Sequence, residues 1–125
     1  MLIPTRPDDE KIVMGLFSLV PELKDLSHLK QVLDLYEQPN FQLFFWQPDQ
    51  LDSINGLLGF ERYRDKVLIV RHLILTPGAP KKATHAQMLT DLQEFYPNMT
   101  IMGTLETQTY IDKWRKHYTK PKSYN

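Results

Sequence analysis

Hydrophobic residues recur along this chain with two spacings, one typical of helices and one typical of strands. Apolar positions three or four apart predict amphipathic helices. Near-continuous apolar or aromatic runs predict strands that are covered on both faces. The predicted helices carry their apolar stripes over Ile12–Val20, Leu26–Tyr36, Met88–Tyr96 and Tyr110–Tyr118, and the predicted strands are Met1–Pro4, Phe41–Trp46, Ile54–Tyr63, Val67–Thr76 and Met99–Leu105.

The predicted element order is β-α-α-β-β-β-α-β-α, in a single domain over residues 1–125. A helix between the fourth and fifth strands makes that connection a parallel, right-handed crossover. Arg64–Asp65–Lys66 separates two apolar runs and predicts an antiparallel hairpin. The fold class is therefore α/β (α+β), with a mixed central sheet flanked by helices on both faces.

Local signals predict where several elements begin or bend. Asp8 or Asp9 can cap the first helix, and the second helix begins near Asp25. Thr84-His85-Ala86-Gln87 matches a capping box, which predicts Thr84 as the N-cap of the third helix. Gly56-Leu57-Leu58-Gly59 predicts a bulge or close-packing point within a strand.

Composition excludes several kinds of function. The 15 Lys and Arg residues balance the 15 Asp and Glu residues, which argues against nucleic acid or a membrane surface as a partner. No cysteine is present, so disulfides, thiolate metal sites and a cysteine nucleophile are excluded. The four histidines have no close metal-ligand spacing, and no metal is expected. Without a membrane span or a signal-peptide pattern, the sequence predicts a cytoplasmic protein.

Three segments and the chain end resemble one family. EKIVMGLFSLVPELKDLSHLKQVLDLYE near the amino terminus, VRHLILTP in the fourth strand, TQTYIDKW in the last helix and the terminal SYN are similar to the RibT-like, riboflavin-operon acetyltransferase-like proteins. That family belongs to the GNAT superfamily of acyl-CoA N-acyltransferases, whose element order also matches. The resemblance implies acetyl-CoA as co-substrate and a small-molecule or amine acceptor. It implies a site in a V-shaped opening between the fourth and fifth strands, expected to separate at Leu75–Thr76–Pro77. A monomer or homodimer is expected.

The resemblance also identifies candidate cofactor-binding residues. Proteins of this superfamily typically carry an Arg/Gln-x-x-Gly-x-Gly/Ala turn after the fourth strand, and its amides bind the CoA pyrophosphate. Here that turn falls on residues 80–85, and its signature positions hold Pro80, Ala83 and His85. A self-capped helix without a ligand is the alternative. The predicted cofactor-binding residues are Leu75, Lys81, Lys82, Ala83, Thr84 and His85.

Two residues are candidates for catalysis. The resemblance implies a glutamate base on the fourth strand and a tyrosine acid in the last helix, and these positions hold Ile69 and Ile111. Tyr110 is the predicted acid. Its one-residue offset turns the side chain by about 100°, and an orientation toward the core is the alternative. His72 interrupts the apolar strand and is the candidate base. A satisfied core histidine is the alternative.

Two classes of function remain open. The first is an acetyltransferase that acts on an amine. The second is a catalytically inactive GNAT-fold binding or regulatory protein associated with riboflavin metabolism. The segment Tyr110–Asn125 has five basic residues and one acidic residue, a net charge of +4, which would suit a phosphate-rich ligand or RNA. A solvated basic tail is the preferred interpretation, and no nucleic acid partner is expected.

Overall fold

The computed structural model of the chain describes residues 1–49 and 53–118, without the side chains of Lys81 and Lys82. The element order β-α-α-β-β-β-α-β-α is confirmed. Short 3-10 turns at Pro7–Asp9 and Pro21–Leu23 precede the first two helices. The strands are β1 Leu2–Pro4, β2 Phe41–Trp46, β3 Gly56–Tyr63, β4 Val67–Leu75 and β5 Thr100–Gly103, and the helices are α1 Glu10–Phe17, α2 Leu26–Leu35, α3 Lys81–Phe95 and α4 Gln108–His117.

The five strands form one mixed sheet in the order β1-β2-β3-β4-β5. The pairs β1–β2, β2–β3 and β3–β4 are antiparallel, and the pair β4–β5 is parallel. Arg64 and Asp65 have φ values of 53° and 54° in the β3–β4 turn. Positive φ at both central residues suits the twist of a tight hairpin. The predicted mixed sheet and its hairpin are therefore confirmed.

Helices cover both faces of the sheet, as the apolar strands require. On one face α3 and α4 pack over a core that includes Phe60, Leu68 and Leu92. On the other face α1 and α2 pack over a core that includes Phe17, Leu29 and Leu57. No helix among the described residues is long and apolar enough to cross a membrane.

Three predicted core positions in the first three helices are wrong. Ile12 is 49% exposed, Leu26 is 58% exposed and Phe95 is 52% exposed. The buried stripe of α1 runs through Val13, Leu16 and Phe17. Ile12 lies about 100° around the helix from Val13, outside that stripe.

The predicted start of α3 is also wrong. The helix begins at Lys81, with Pro80 as its N-cap residue, and Thr84 is a buried residue of its first turn. The Thr84 amide donates to the Pro80 carbonyl at 3.0 Å. Gln87 donates its side-chain amide to Asp91 instead of completing a capping box. Because proline already has a φ near the value required here, the chain turns into the helix earlier than the Thr–Gln pattern indicates.

The glycine pair in β3 marks a bulge, as the sequence predicts. Gly59 pairs with His72, but Phe60 pairs with Val70, so Arg71 is the extra residue on β4. Gly59 also lies against the Tyr36 hydroxyl, with which an added Cβ would collide. Glycine is therefore required at this position by close packing as well as by the irregular strand.

Candidate functional site

The opening between β4 and β5 is the feature that organises the site. The two strands pair from Val67–Thr100 to Val70–Gly103, and β4 then continues alone to Leu75. The strands therefore separate after Val70, earlier in β4 than the predicted point at Leu75–Thr76–Pro77. Beyond it, the β5-facing side of β4 is left without a strand partner among the described residues.

Thr107 explains why the strands separate at this point. Its buried hydroxyl donates to the Val70 carbonyl at 2.6 Å and accepts from the Thr104 amide at 2.9 Å. The side chain thus takes the place of the next strand hydrogen bond and turns the chain from β5 into α4. A Cβ at Gly103 would lie 2.6 Å from the Thr107 hydroxyl oxygen, so glycine allows this approach.

A cleft of about 250 Å³ lies beside the free part of β4. It brings together residues from four separate segments of the chain. Its walls include Leu75, His85 and Tyr110, to which the family resemblance assigns cofactor binding and catalysis. The lining residues are Leu19, Val20 and Pro21 from the α1–α2 connection, Leu73, Ile74 and Leu75 from β4, His85 from α3, and Tyr110 from α4.

Tyr110 faces the cleft and not the core. Its neighbour Ile111 is fully buried, whereas Tyr110 is 41% exposed. The one-residue offset therefore directs the isoleucine inward and the tyrosine toward the opening. The Tyr110 ring lies against the buried His85 ring, with centroids 4.5 Å apart and planes tilted by 54°. This contact holds the tyrosine on the side of α4 that faces α3.

The N-cap residue of α3, Pro80, provides no side-chain cap for the first backbone amides of the helix. The first amides of any helix have no partner within the helix, and they bear its partial positive charge. Gly78, with φ of +93°, bends the preceding turn. Ala83 is exposed and Thr84 is buried, so these two predicted binding residues point in different directions. The side chains of Lys81 and Lys82 lie outside the described part of the structure.

His72 lies on the opposite face of the sheet from Tyr110's helix. Its Nδ1 is 2.5 Å from the Tyr36 hydroxyl oxygen, and its ring packs edge-on against Phe17 at 5.1 Å. Burial, and to a smaller extent the charge of Arg71, lowers the pKa of His72 to about 4. His72 does not line the cleft, and the structure does not bring it beside Tyr110. A catalytic role for His72 stays a prediction.

Arg71, the bulged residue, makes a partly buried ion pair. Its guanidinium donates to Glu61 at 2.9 Å and lies 5.3 Å from the centre of the Phe41 ring. These contacts direct Arg71 toward β2 and β3 and hold the bulge in place.

The other predicted features add no second site. No group of His, Asp or Glu side chains in the described ranges could hold a metal ion. Lys113, Arg115 and Lys116 are exposed on α4. Lys120 and Lys122 in the basic tail, and the terminal SYN, lie outside the described residues.

Sequence reasoning missed three contributors. Leu19–Pro21 line the cleft, Thr107 sets its apex, and Tyr36 contacts His72. Only Pro21, at a predicted helix end, gave any local signal. The other contacts join residues far apart in the chain.

A curated relative matches most of the chain. The chain is 31% identical over 114 residues to an uncharacterized N-acetyltransferase in the lysA 3′ region of Bacillus methanolicus, which covers 90% of this chain and 93% of the relative. No protein-family model matches the sequence.

Solved structures share the fold at low identity. A Bacillus subtilis protein described as an acetyltransferase, YycN, superposes with a TM-score of 0.65 at 15% identity, over 100% of this chain and 95% of that one. A spermidine N-acetyltransferase from Vibrio cholerae, in complex with CoA and spermine, gives a TM-score of 0.64 at 11% identity, over 93% of this chain and 78% of that one. A protein of the GNAT family from Bacteroides thetaiotaomicron gives 0.64 at 18% identity, over 94% and 70% of the two chains.

Proposed function

Because this chain belongs to the GNAT superfamily of acetyltransferases, we propose that it transfers the acetyl group of acetyl-CoA to the amine of a small molecule. The convergence of Leu75, His85 and Tyr110 on one cleft, where β4 and β5 separate, is the observation that carries the proposal. The structural neighbour bound to CoA and spermine supports a thioester donor and a small amine acceptor for this fold.

The CoA pyrophosphate would bind at the start of α3. A capping box at Thr84 would have satisfied these amides without a ligand, but the helix begins at Lys81 and its N-cap residue, Pro80, provides no side-chain cap. The amides of Lys81, Lys82 and Ala83 are therefore available to an anion, whose charge the helix dipole also favours. Lys81 and Lys82 add positive charge in the same turn. The departures at Pro80, Ala83 and His85 predict weaker binding than a glycine-rich turn gives.

The chemistry needs one nucleophile and one acid. The neutral amine attacks the thioester carbonyl carbon, the C–S bond breaks, and the nitrogen loses a proton to solvent. The leaving thiolate takes a proton from the Tyr110 hydroxyl, which solvent then restores. Tyr110 suits this part because its ring is fixed against His85 while its side chain remains partly exposed in the cleft. With a pKa of about 4, His72 is a weak proton acceptor for an amine.

Finer assignments rest on the amino-terminal resemblance. The resemblance of residues 10–37 supports the assignment of the chain to the RibT-like proteins and a link to riboflavin metabolism. A cytoplasmic location and a monomeric or homodimeric state stay predictions. Loss of the glycine-rich turn favours one second candidate, a protein that keeps the fold and binds a ligand without transferring acetyl groups.

Two measurements with acetyl-CoA distinguish an acetyltransferase from a protein that only binds a ligand. A ligand that binds only the folded state raises its Tm. Millimolar acetyl-CoA should therefore raise the Tm, and a panel of primary amines should include one that releases free CoA thiol at a rate above hydrolysis. A Tm increase without thiol release by any amine would support the binding protein. No Tm increase would reject the acetyltransferase.

A further inference from the structure

The Tyr36–His72 contact is built by three elements. Tyr36 follows α2, His72 lies on β4, and Gly59 is the β3 residue paired with His72. The Tyr36 hydroxyl lies over Gly59, and it reaches His72 Nδ1 at 2.5 Å. Any side chain at position 59 would displace the hydroxyl. Because Gly59 has no side chain, the hydroxyl of Tyr36, which lies outside the sheet, can reach His72 on β4.

The hydrogen bond fixes the tautomer of the imidazole. Burial raises the pKa of Tyr36 far above its usual range, so the phenol keeps its proton. That proton needs an acceptor, and His72 Nδ1 is the acceptor that the described residues offer. If Nδ1 carried a proton instead, the phenol proton would be left unpaired in a largely buried position, which costs free energy. His72 therefore carries its proton on Nε2.

His72 lies beside the point where β4 and β5 separate. His72 follows the last β4–β5 pair at Val70–Gly103 by two residues and lies on the same side of β4 as Ile74, which lines the cleft. Burial and the charge of Arg71 lower the pKa of His72, and the carboxylate of Glu106, in the turn that leads into α4, raises it by a smaller amount. Among the described residues Nε2 has no hydrogen-bond partner, and it is not a buried atom.

We propose that Tyr36 is a positioning residue that fixes His72 as a neutral Nε2–H donor. His72 lies two residues from the cleft-lining Ile74 on the same face of β4, and from this position at the edge of the cleft it hydrogen-bonds an oxygen of a ligand that extends past Ile74, and it does not accept the amine proton. This role rests on the proposed acetyl transfer. It replaces the general base expected from the sequence with a hydrogen-bond donor. It also assigns a function to Tyr36 and Gly59, which lie outside the cleft.

Imidazole nitrogen NMR tests the tautomer without any activity measurement. In the full chain near pH 7, long-range proton–nitrogen spectra should show His72 with an unprotonated Nδ1 and a protonated Nε2, assigned by the loss of its signals in His72→Gln. In Tyr36→Phe the same ring should show a mixture of tautomers and titrate at a higher pH, because the donor to the neutral form is gone. A proton on Nδ1 in the native protein would overturn the proposal.

Matched variants separate this role from general damage. Tyr96→Phe also removes a hydrogen-bonded tyrosine hydroxyl, here one that donates to Gln42 at 2.9 Å, but it should leave the His72 spectrum unchanged. Gly59→Ala provides a second way to break the contact and should reproduce the spectrum of Tyr36→Phe. A native-like His72 spectrum in folded Gly59→Ala would contradict the proposal that the Tyr36 hydroxyl needs the space above Gly59 to reach His72.

Kinetics then test the donor role. For an amine that the native protein acetylates, Tyr36→Phe should lower kcat/KM several-fold or more, while Tyr96→Phe should not. His72→Gln, whose side-chain amide also donates, should retain more activity than His72→Phe. Equal loss in these two variants would overturn the donor role. If no amine is acetylated, the proposed function fails, while the tautomer measurement still decides whether Tyr36 fixes His72.

Discussion

The buried hydroxyl of Thr107 donates a 2.6 Å hydrogen bond to the main-chain carbonyl of Val70, the last residue of β4 that pairs with β5. The two residues are 37 positions apart in the chain, and their contact sets the apex of the cleft. Thr107 thus ends the β4–β5 pairing and is also the N-cap residue of α4, the helix on which Tyr110 lies.

Replacing Thr107 with valine should destabilise the protein. Valine has nearly the same shape but leaves the buried Val70 carbonyl and the Thr104 amide without this partner. The expected loss is about 1–3 kcal/mol in the free energy of unfolding. Denaturant unfolding measures it, and Thr109→Val on the exposed side of the same helix is the control. Equal stability of the two variants would show that the hydrogen bond does not hold the apex.

Tyr110→Phe should slow acetyl transfer without weakening acetyl-CoA binding. Phenylalanine keeps the ring contact with His85 but has no proton for the thiolate. Loss of an acid of this kind lowers kcat by roughly 10²-fold or more. Tyr63→Phe, on an exposed strand end, is the control. An unchanged kcat, with the chemical step shown to limit turnover, would exclude Tyr110 as the acid.

Pro80→Asp should weaken CoA binding more than Pro80→Ala. An aspartate at the N-cap position accepts hydrogen bonds from the first amides of α3, and its charge repels the pyrophosphate. Binding is measured by calorimetry with CoA. If the two variants bind CoA equally, the pyrophosphate does not use these amides.

The charges of Lys81 and Lys82 should act on the phosphates of CoA. Replacing both with alanine should weaken CoA more than a pantetheine analogue without phosphates, because only CoA loses ion pairs. Lys113→Ala with Lys116→Ala on α4 changes the net charge by the same amount and serves as the control. The same loss of affinity for both ligands would remove the electrostatic role.

Stability should fall as the pH is lowered from about 7 toward 4. The pKa of His72 is about 4 in the folded protein, against roughly 6.5 in an unfolded chain. Between these values the unfolded state binds a proton that the folded state excludes, which lowers the free energy of unfolding by at most roughly 1.4 kcal/mol per pH unit. Tyr36 is hydrogen-bonded to His72, and the charges of Arg71 and Glu106 also act on its pKa.

A comparison of variants separates the contribution of His72 to the pH dependence of stability from the contributions of the other titrating groups. His72→Gln should flatten the pH dependence of stability between pH 4 and 7. His117→Gln, at an exposed position on α4, should not. Parallel curves for the native protein and His72→Gln would show that His72 ionises equally in both states.

The sequence predicts the fold well because the fold depends on repeated local patterns. The aromatic run FQLFFW becomes β2 with the predicted ends, and Arg64–Asp65–Lys66 becomes the hairpin. The first residue of a helix is predicted less accurately where two local sequence signals compete. Thr84–Gln87 matches a cap, but Pro80 begins the helix one turn earlier.

The site is only partly predictable because its contacts join distant residues. The resemblance identified Leu75, His85 and Tyr110, and the fold brings these three together. No local pattern reveals that Tyr36 contacts His72 across 36 positions, or that Thr107 ends the β4–β5 pairing. These contacts follow from packing around Gly59 and Gly103. The sequence predicts a bulge or close-packing point at the first of these glycines, but it gives no signal for the second.

Thr107 and Val70 are 37 positions apart in the chain, and this separation has a consequence for the order of folding. The β3–β4 hairpin closes over a three-residue turn, whereas the apex forms only after α3 and β5 have returned to the sheet. Distant contacts pay a larger loop-closure entropy and form later than local ones. A refolding chain should therefore regain its strand circular dichroism before its affinity for acetyl-CoA, and Thr107→Val should speed unfolding more than it slows refolding.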